Sequence, residues 1–321
     1  MGRPIPEQAN SAIITLVAPP LTGKYWVCVI TKNGAETIGP TLDSILTQTL
    51  PPDLIVVVDD GSVDDTRAVV ESRSKSTRTR VQVITLPDRG YDIRRVPANI
   101  NSAYAYVKEN CGAFNYSMIS GDDCIFPPEY SAFLLSKMSR DSELVIASGD
   151  WGVSPPPDWI KAPQGAGRFV EENFWREAGG KYPVAYGWES WLLFKALELG
   201  YRIANFTGLR YVHMRPSGTA HKFSHWGTAM RTLGYHPLFV LLRFAKNVIQ
   251  NAEPISIRGN VGMLVNYFLP QLHRNDPYFE YYDEGLRGFV KQQQLRRLLR
   301  YPRLRRFRSL AAALWKVSES I

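Results

Sequence analysis

Cysteine is scarce in this chain of 321 residues. The three present, Cys28, Cys111 and Cys124, are odd in number and scattered, and no CxxC occurs. That excludes a disulfide framework and a cysteine-based zinc site, and it suits a reducing compartment. No apolar run approaches the roughly 18 to 20 residues that cross a bilayer. The N-terminal "SAIITLVAPPL" is short and has no basic n-region, so it does not read as a signal peptide. No internal repeat is visible. With 45% hydrophobic and 21% charged residues, global disorder is excluded. The length allows one large domain and an appendage.

Positive charge is plentiful but unevenly placed. The net charge is +8. Residues 287–316 carry ten Lys or Arg and no Asp or Glu, and the rest of the chain holds 28 basic against 30 acidic residues. Such a tail suits an anionic partner, or it is a solvated basic helix. In "RLRRFRSLAAALWKV" (303–317), Leu304, Phe307, Ala311, Leu314 and Trp315 fall near one helical face with arginines around the rest. A helix lying in an anionic membrane interface has that pattern; packing on the rest of the protein is the alternative. Nucleic acid is not expected, since only the tail speaks for it. The expected location is cytoplasmic, with a peripheral place on the cytoplasmic face of the membrane open through the tail.

Along the chain, strands and helices alternate. "YWVCVIT" (25–31), "LIVVV" (54–58), "VQVITL" (81–86), "YSMIS" (116–120) and "LVIAS" (144–148) read as strands. Between the first two, Ile38, Leu42, Ile45 and Leu46 recur at helical spacing. Ser62 and Asp65 form a capping-box-like pair before "TRAVVESR". Further helices are expected over 98–109 and from Pro127-Pro128-Glu129 to about Met138. Strands this apolar imply a sheet covered on both faces. "PPPDWIKAPQGAG" after Ser154 is loop-like. Beyond about Trp226 the chain reads as helices broken at Pro237, Pro254, Pro270 and Pro302.

Two strands end on paired acids. "LIVVVDDGSVDDT" runs from apolar residues into Asp59-Asp60, and "MISGDDCIFPPE" into Gly121-Asp122-Asp123. Either could be a surface turn, because Asp-Gly favours turns and Ser62 or Asp64 could cap a helix. Two such ends in one sheet point instead to a ligand at the carboxyl ends of the strands. One pair can bond a base or ribose. The other can hold Mg2+ or Mn2+ against a diphosphate, since these ions prefer oxygen. Gly121 would let backbone approach the ligand.

The chain resembles a family 2 glycosyltransferase of the GT-A fold from about Trp26 to about Trp226. The resemblance rests on "VITKNGAETIGPTLDSILTQTLPPDLIVVVDDGSVDDT", on "SGDDCIFPPE" and on "GWESWLLFKALELGYRI" (187–203), in that order. It implies an α/β chain: a Rossmann-like, mostly parallel sheet with helices on both faces. It also divides the chain into an N-terminal extension (1–24), a GT-A domain (25–226) and a basic helical extension (227–321). By position, it puts Thr31 near the base. Asp60 would accept a bond from the base ring, and Asp59 would shape the ribose pocket. Asp122, with Asp123 beside it, would hold the metal, and Glu189 would be the catalytic base. His213 lies where relatives carry a histidine near the diphosphate or metal, an ordinary packed histidine being the alternative. Arg94 and Arg95 could contact the diphosphate or be a solvated pair. Trp188 and Trp191 could stack on a sugar or pack in the core.

The chain departs from the family at three places. Ser120 replaces the first aspartate of the metal motif, which lowers its charge. Lys32 stands where an aromatic is common. The acidic pair of the third motif is reduced to Trp188-Glu189. The expected function is an inverting, metal-dependent transfer of a sugar from a UDP- or GDP-sugar to a glycan or a polyprenyl-phosphate acceptor. A non-catalytic nucleotide-sugar-binding relative and a nucleotidyltransferase are the alternatives, although "TKNGAE" (31–36) offers only one glycine to a phosphate loop.

Overall fold

The computed structural model describes residues 23–151, 162–215, 224–249, 257–273 and 275–300. The first half alternates as its periodicity predicts. The elements are β1 (Tyr25–Thr31), α1 (Ile38–Leu46), β2 (Leu54–Asp59), α2 (Thr66–Lys75), β3 (Arg80–Thr85), α3 (Val96–Asn110) and β4 (Tyr116–Gly121). There follow β5 (Cys124–Ile125), α4 (Tyr130–Ser139), β6 (Leu144–Trp151), β7 (Arg168–Glu171), α5 (Glu172–Glu177), α6 (Trp188–Glu198) and β8 (Arg202–His213). The C-terminal part supplies α7 (Ser224–Thr232), α8 (Pro237–Ile249), α9 (Ile257–Phe268) and α10 (Glu284–Arg300).

Among the described residues, eight strands make one sheet in the order β3-β2-β1-β4-β7-β6-β8-β5. β1, β2, β3 and β4 are mutually parallel, as are β6 and β8, while β7 and β5 run antiparallel to their neighbours. The period of two in β1 explains the layers. Tyr25, Val27 and Val29 face a core shared with Ile38, Leu42 and Ile45 of α1 and Leu134 of α4. Trp26 and Cys28 face the other core, shared with Ile100, Ala103 and Tyr104 of α3 and Leu192 of α6. Every residue of β2 is buried, so the sheet has helices on both faces, as its apolar strands require.

Three strands were not legible as such. β5 has two residues, and β7 has four. β8 is largely half-exposed and carries a bulge against β6 between Gly149 and Asp150, which breaks the alternation that marks a strand. The start of α2 also differs from its expected capping box. Asp65 occupies the cap position and makes no side-chain cap bond. Asp64 Oδ1 accepts from the Thr66 amide at 3.1 Å, whereas Ser62 Oγ accepts from the Asn33 amide at 2.8 Å. Ser62 thus ties two loops together instead of starting a helix.

The C-terminal helices form their own small cores. Met230, Val240, Met263 and Tyr267 make one, and Leu233, Leu286 and Val290 make another that reaches Trp191 and Phe194 of α6.

Candidate active site

Three parallel strands end side by side. Thr31 closes β1 opposite Asp59 of β2, and Ile30 lies opposite Gly121 of β4. The parallel topology therefore brings both acidic clusters, which the sequence separates by about sixty residues, to one edge of the molecule.

On the β2 side, Asp59 and Asp60 have different jobs. Asp59 is buried and committed to scaffolding. Its Oδ1 accepts from the Ser62 amide at 2.8 Å and its Oδ2 from Arg67 Nε at 2.7 Å. Asp60 is buried as well. Its Oδ2 accepts from Arg95 Nη2 at 3.2 Å, while Oδ1 has no hydrogen-bond partner. A buried acceptor left alone costs about 1–3 kcal/mol, so its position calls for a donor from outside the chain. Arg95 is fixed from behind by the Gly90 carbonyl. Lys32 Nζ donates to the Asp60 carbonyl at 2.8 Å and pairs with Asp88 at 2.6 Å.

On the β4 side, Thr31 Oγ1 donates to Asp122 Oδ2 at 2.6 Å. The approach is possible because residue 34 is glycine, since a Cβ there would lie 2.1 Å from Asp122 Oδ2. Asp123, Cys124 and His213 offer ligand atoms that all lie within 4.8 Å of one another. His213 Nδ1 is 3.6 Å from Asp123 Oδ1 and 3.5 Å from Cys124 Sγ. Burial, and then the charge of Asp123, push the Cys124 thiol well up. The carboxylate and imidazole of this group suit Mg2+ or Mn2+ with waters and phosphate completing the shell. The Arg215 guanidinium sits across the Asp122-Asp123 pair, with Nη2 on Asp122 Oδ1 and Nε 3.4 Å from Asp123 Oδ2. The two carboxylates thus already face a cation, carried on a side chain that is 47% exposed. These residues fit a divalent ion. Ser120 takes no part in that set: it is buried, and its hydroxyl donates to the Gly121 carbonyl at 2.8 Å.

Glu189 lies in the first turn of α6. Its side chain is 49% exposed, and Oε1 is 3.9 Å from the guanidinium of buried Arg168. Arg168 begins β7 and pairs with Ile119 of β4, so Glu189 stands at the same sheet end as Gly121. Gly165, in the loop leading into β7, lets it come close, since a Cβ there would lie 2.0 Å from Glu189 Oε1.

Arg94 is turned away from Arg95. It pairs with Asp92 at 2.9 Å and with Asp276 at 3.2 Å, and it lies 4.6 Å over the ring of Tyr278. It fastens the C-terminal part to the sheet. Trp188 and Trp191 both pack edge-on to Tyr182. The structure adds residues that the sequence did not single out. Arg67 is one, and Gly34 and Gly165 are others. Trp151 stands edge-on to His213 with centroids 5.6 Å apart. A signal existed for the end of β6, because "SGD" at Ser148–Asp150 repeats "SGD" at Ser120–Asp122.

The family model described as Glycosyl transferase family 2 matches residues 26–200, more than half of the chain. Among solved structures, the chain is similar to the mannosyltransferase PcManGT from Pyrobaculum calidifontis in complex with GDP-Man and Mn2+. The identity is 18%, over 95% of this chain and 82% of that one, with a TM-score of 0.52. It is also similar to S. aureus TarS 1-349 in complex with UDP-GlcNAc, at 16% identity over 78% of this chain and 73% of that one, with a TM-score of 0.50. At these identities the likeness speaks for the fold alone. No curated protein matches the chain.

Proposed function

The chain belongs to glycosyl transferase family 2, and we propose that it moves a sugar from a UDP- or GDP-sugar to a glycan or polyprenyl-phosphate acceptor, with inversion. One observation carries the reading: the unpartnered Oδ1 of Asp60 shares a sheet end with the Asp122-Asp123 pair. A nucleoside diphosphate has an N–H for the first, and a divalent cation held by the second would offset the negative charge of its phosphates.

Asp60 accepts the hydrogen bond from the base, and Arg95 keeps its carboxylate turned. Asp122, Asp123 and His213 would hold Mg2+ or Mn2+, which when bound offsets the charge of the diphosphate leaving group. Glu189 takes the proton of an acceptor hydroxyl. The acceptor oxygen bonds to the anomeric carbon while the bond from that carbon to the diphosphate oxygen breaks, its electron pair leaving with the diphosphate. Attack from the face opposite the leaving group inverts the centre. The basic tail supports a peripheral place on the cytoplasmic face of a membrane; its segment 303–317 lies outside the described residues.

Incubating purified protein with a panel of sugar nucleotides, Mg2+ or Mn2+ and candidate acceptors tests the reading. Acceptor-dependent release of nucleoside diphosphate, with product of inverted anomeric configuration, is expected. Retained configuration, or no release across the panel, contradicts it.

A further inference from the structure

We propose that Trp151 is the platform on which the transferred sugar of the donor lies. The inference rests on the sugar-transfer reading and names the residue that meets the sugar. Topology puts Trp151 at the site. β7 runs antiparallel to both β4 and β6, so β4 and β6 point the same way. The carboxyl end of β6 therefore lies at the same edge as Gly121, which ends β4. Residues 144–150 of β6 are all buried, whereas Trp151, which closes the strand, is 42% exposed. A single exposed apolar residue means little by itself. This one is distinguished by what holds it.

Two neighbours fix the indole, one from each half of the site. The His213 ring stands perpendicular to it, with centroids 5.6 Å apart. His213 Nδ1 is in turn 3.6 Å from Asp123 Oδ1, so this neighbour belongs to the diphosphate end. On the other side, the indole Nε1 donates to Gln164 Oε1 at 3.3 Å. Gln164 is anchored by its own amide, which donates to Ser148 Oγ at 2.7 Å. The next residue is Gly165, which lies against Glu189 Oε1, so this neighbour belongs to the base end. The polar handle of the indole is thus satisfied within the chain, and the surface left open is the apolar ring. In the transfer, the bond that breaks joins the anomeric carbon to the diphosphate, and the acceptor proton goes to Glu189. The sugar ring lies between those two ends, and Trp151 spans the interval. A pyranose turns a face of slightly positive C–H groups that suits the negative face of an indole, while its hydroxyls stay at the rim. Trp188 and Trp191 do not compete for this role, because they pack edge-on to Tyr182 against the core shared with α3.

Calorimetric titration of the full chain in Mn2+ tests this, with UDP and UDP-glucose as one pair and GDP and GDP-mannose as the other. In the pair that wild type binds, W151A is expected to weaken the sugar nucleotide about tenfold and the bare nucleotide less than about twofold. W151F keeps a ring and should recover most of the loss. A loss acting through His213 and the metal would weaken both members of the pair alike, so the difference between them reads the sugar alone. The sugar nucleotide should also change the indole emission of wild type beyond what the bare nucleotide does, and W151F should lack that excess. Equal weakening of both ligands in W151A and W151F, or none, overturns the inference and leaves the nucleotide site standing. A raised acceptor KM in W151F at unchanged donor affinity overturns it too, because the acceptor then lies on the indole. Failure of wild type to bind any of the four overturns the sugar-transfer reading, and the inference with it.

Discussion

The Thr31 hydroxyl donates to Asp122 Oδ2 across 2.6 Å, joining the ends of β1 and β4 over 91 residues of sequence. Both side chains are buried. Replacing Thr31 by Val keeps the shape and leaves that carboxylate oxygen without its donor. An expected loss of about 1–3 kcal/mol follows, readable as a lower denaturant midpoint at unchanged slope. Thr31→Ser should restore most of it. No loss in the Val variant would mean the bond is not formed.

Asp60 has one oxygen to offer a base. Uracil presents a single ring N–H between two carbonyls, while guanine presents two adjacent donors that want both oxygens of a carboxylate. With Oδ2 taken by Arg95 at 3.2 Å, UDP is expected to bind at least about tenfold more tightly than GDP. Arg95→Met releases Oδ2 and should narrow the ratio. Calorimetric titration of both nucleotides reads it, and equal affinities in wild type contradict the account of Oδ1.

Asp276 fastens the C-terminal part by an acid-sensitive link. Burial raises its pKa, but the Tyr186 hydroxyl, the Tyr278 amide and the charges of Arg94 and His273 outweigh burial and hold the carboxyl below its ordinary value. A depressed folded value adds stability that is whole above the unfolded value of about 4 and is lost as pH falls through the lower folded one. The pair is partly screened, so the gain is about 1 kcal/mol or less. Asp276→Asn should lower the melting temperature at pH 7 by about 2 °C and flatten the acid limb below pH 4. An unaltered acid limb would show that the link contributes nothing.

Glu189 distinguishes the acceptors. For a sugar hydroxyl, Glu189→Gln should lower transfer by about 10² to 10⁴ with donor affinity unchanged, because a positioned base contributes about that much. For a polyprenyl phosphate, whose oxygen is already ionised, the loss should be small. Gly165→Ala pushes on the same carboxylate, since its Cβ would lie 2.0 Å from Oε1, and should follow Glu189→Gln in either case. Loss of donor affinity in Glu189→Gln would make the residue structural.

What the sequence made legible was decided by local pattern. "LIVVV" declares a buried strand because every position is apolar, and β2 is indeed buried throughout. β7 and β8 gave no such pattern, being short in one case and bulged and half-exposed in the other. Paired acids at two strand ends were visible as residues. Their division of labour was not, because Asp59 and Asp60 differ only in what the fold brings to them: Ser62 and Arg67 to one, Arg95 alone to the other. Arg94 and Arg95 are equally alike in sequence, yet the fold sends them to partners 182 and 35 residues away. Arg215 was visible as a cation after His213, but nothing local said that it would straddle Asp122 and Asp123.

The central claim is that the Asp60 and Asp122-Asp123 ends of the sheet form one metal-dependent donor site. The melting temperature with a saturating UDP-sugar, in Mn2+ and in EDTA, tests it most directly, because a ligand that binds only the native state raises stability by mass action. The account predicts a clearly larger rise with Mn2+ in wild type, a difference abolished in Asp122→Ala, and a rise lost in both conditions in Asp60→Ala. A rise that is the same with Mn2+ and EDTA, or that survives Asp60→Ala, would contradict it.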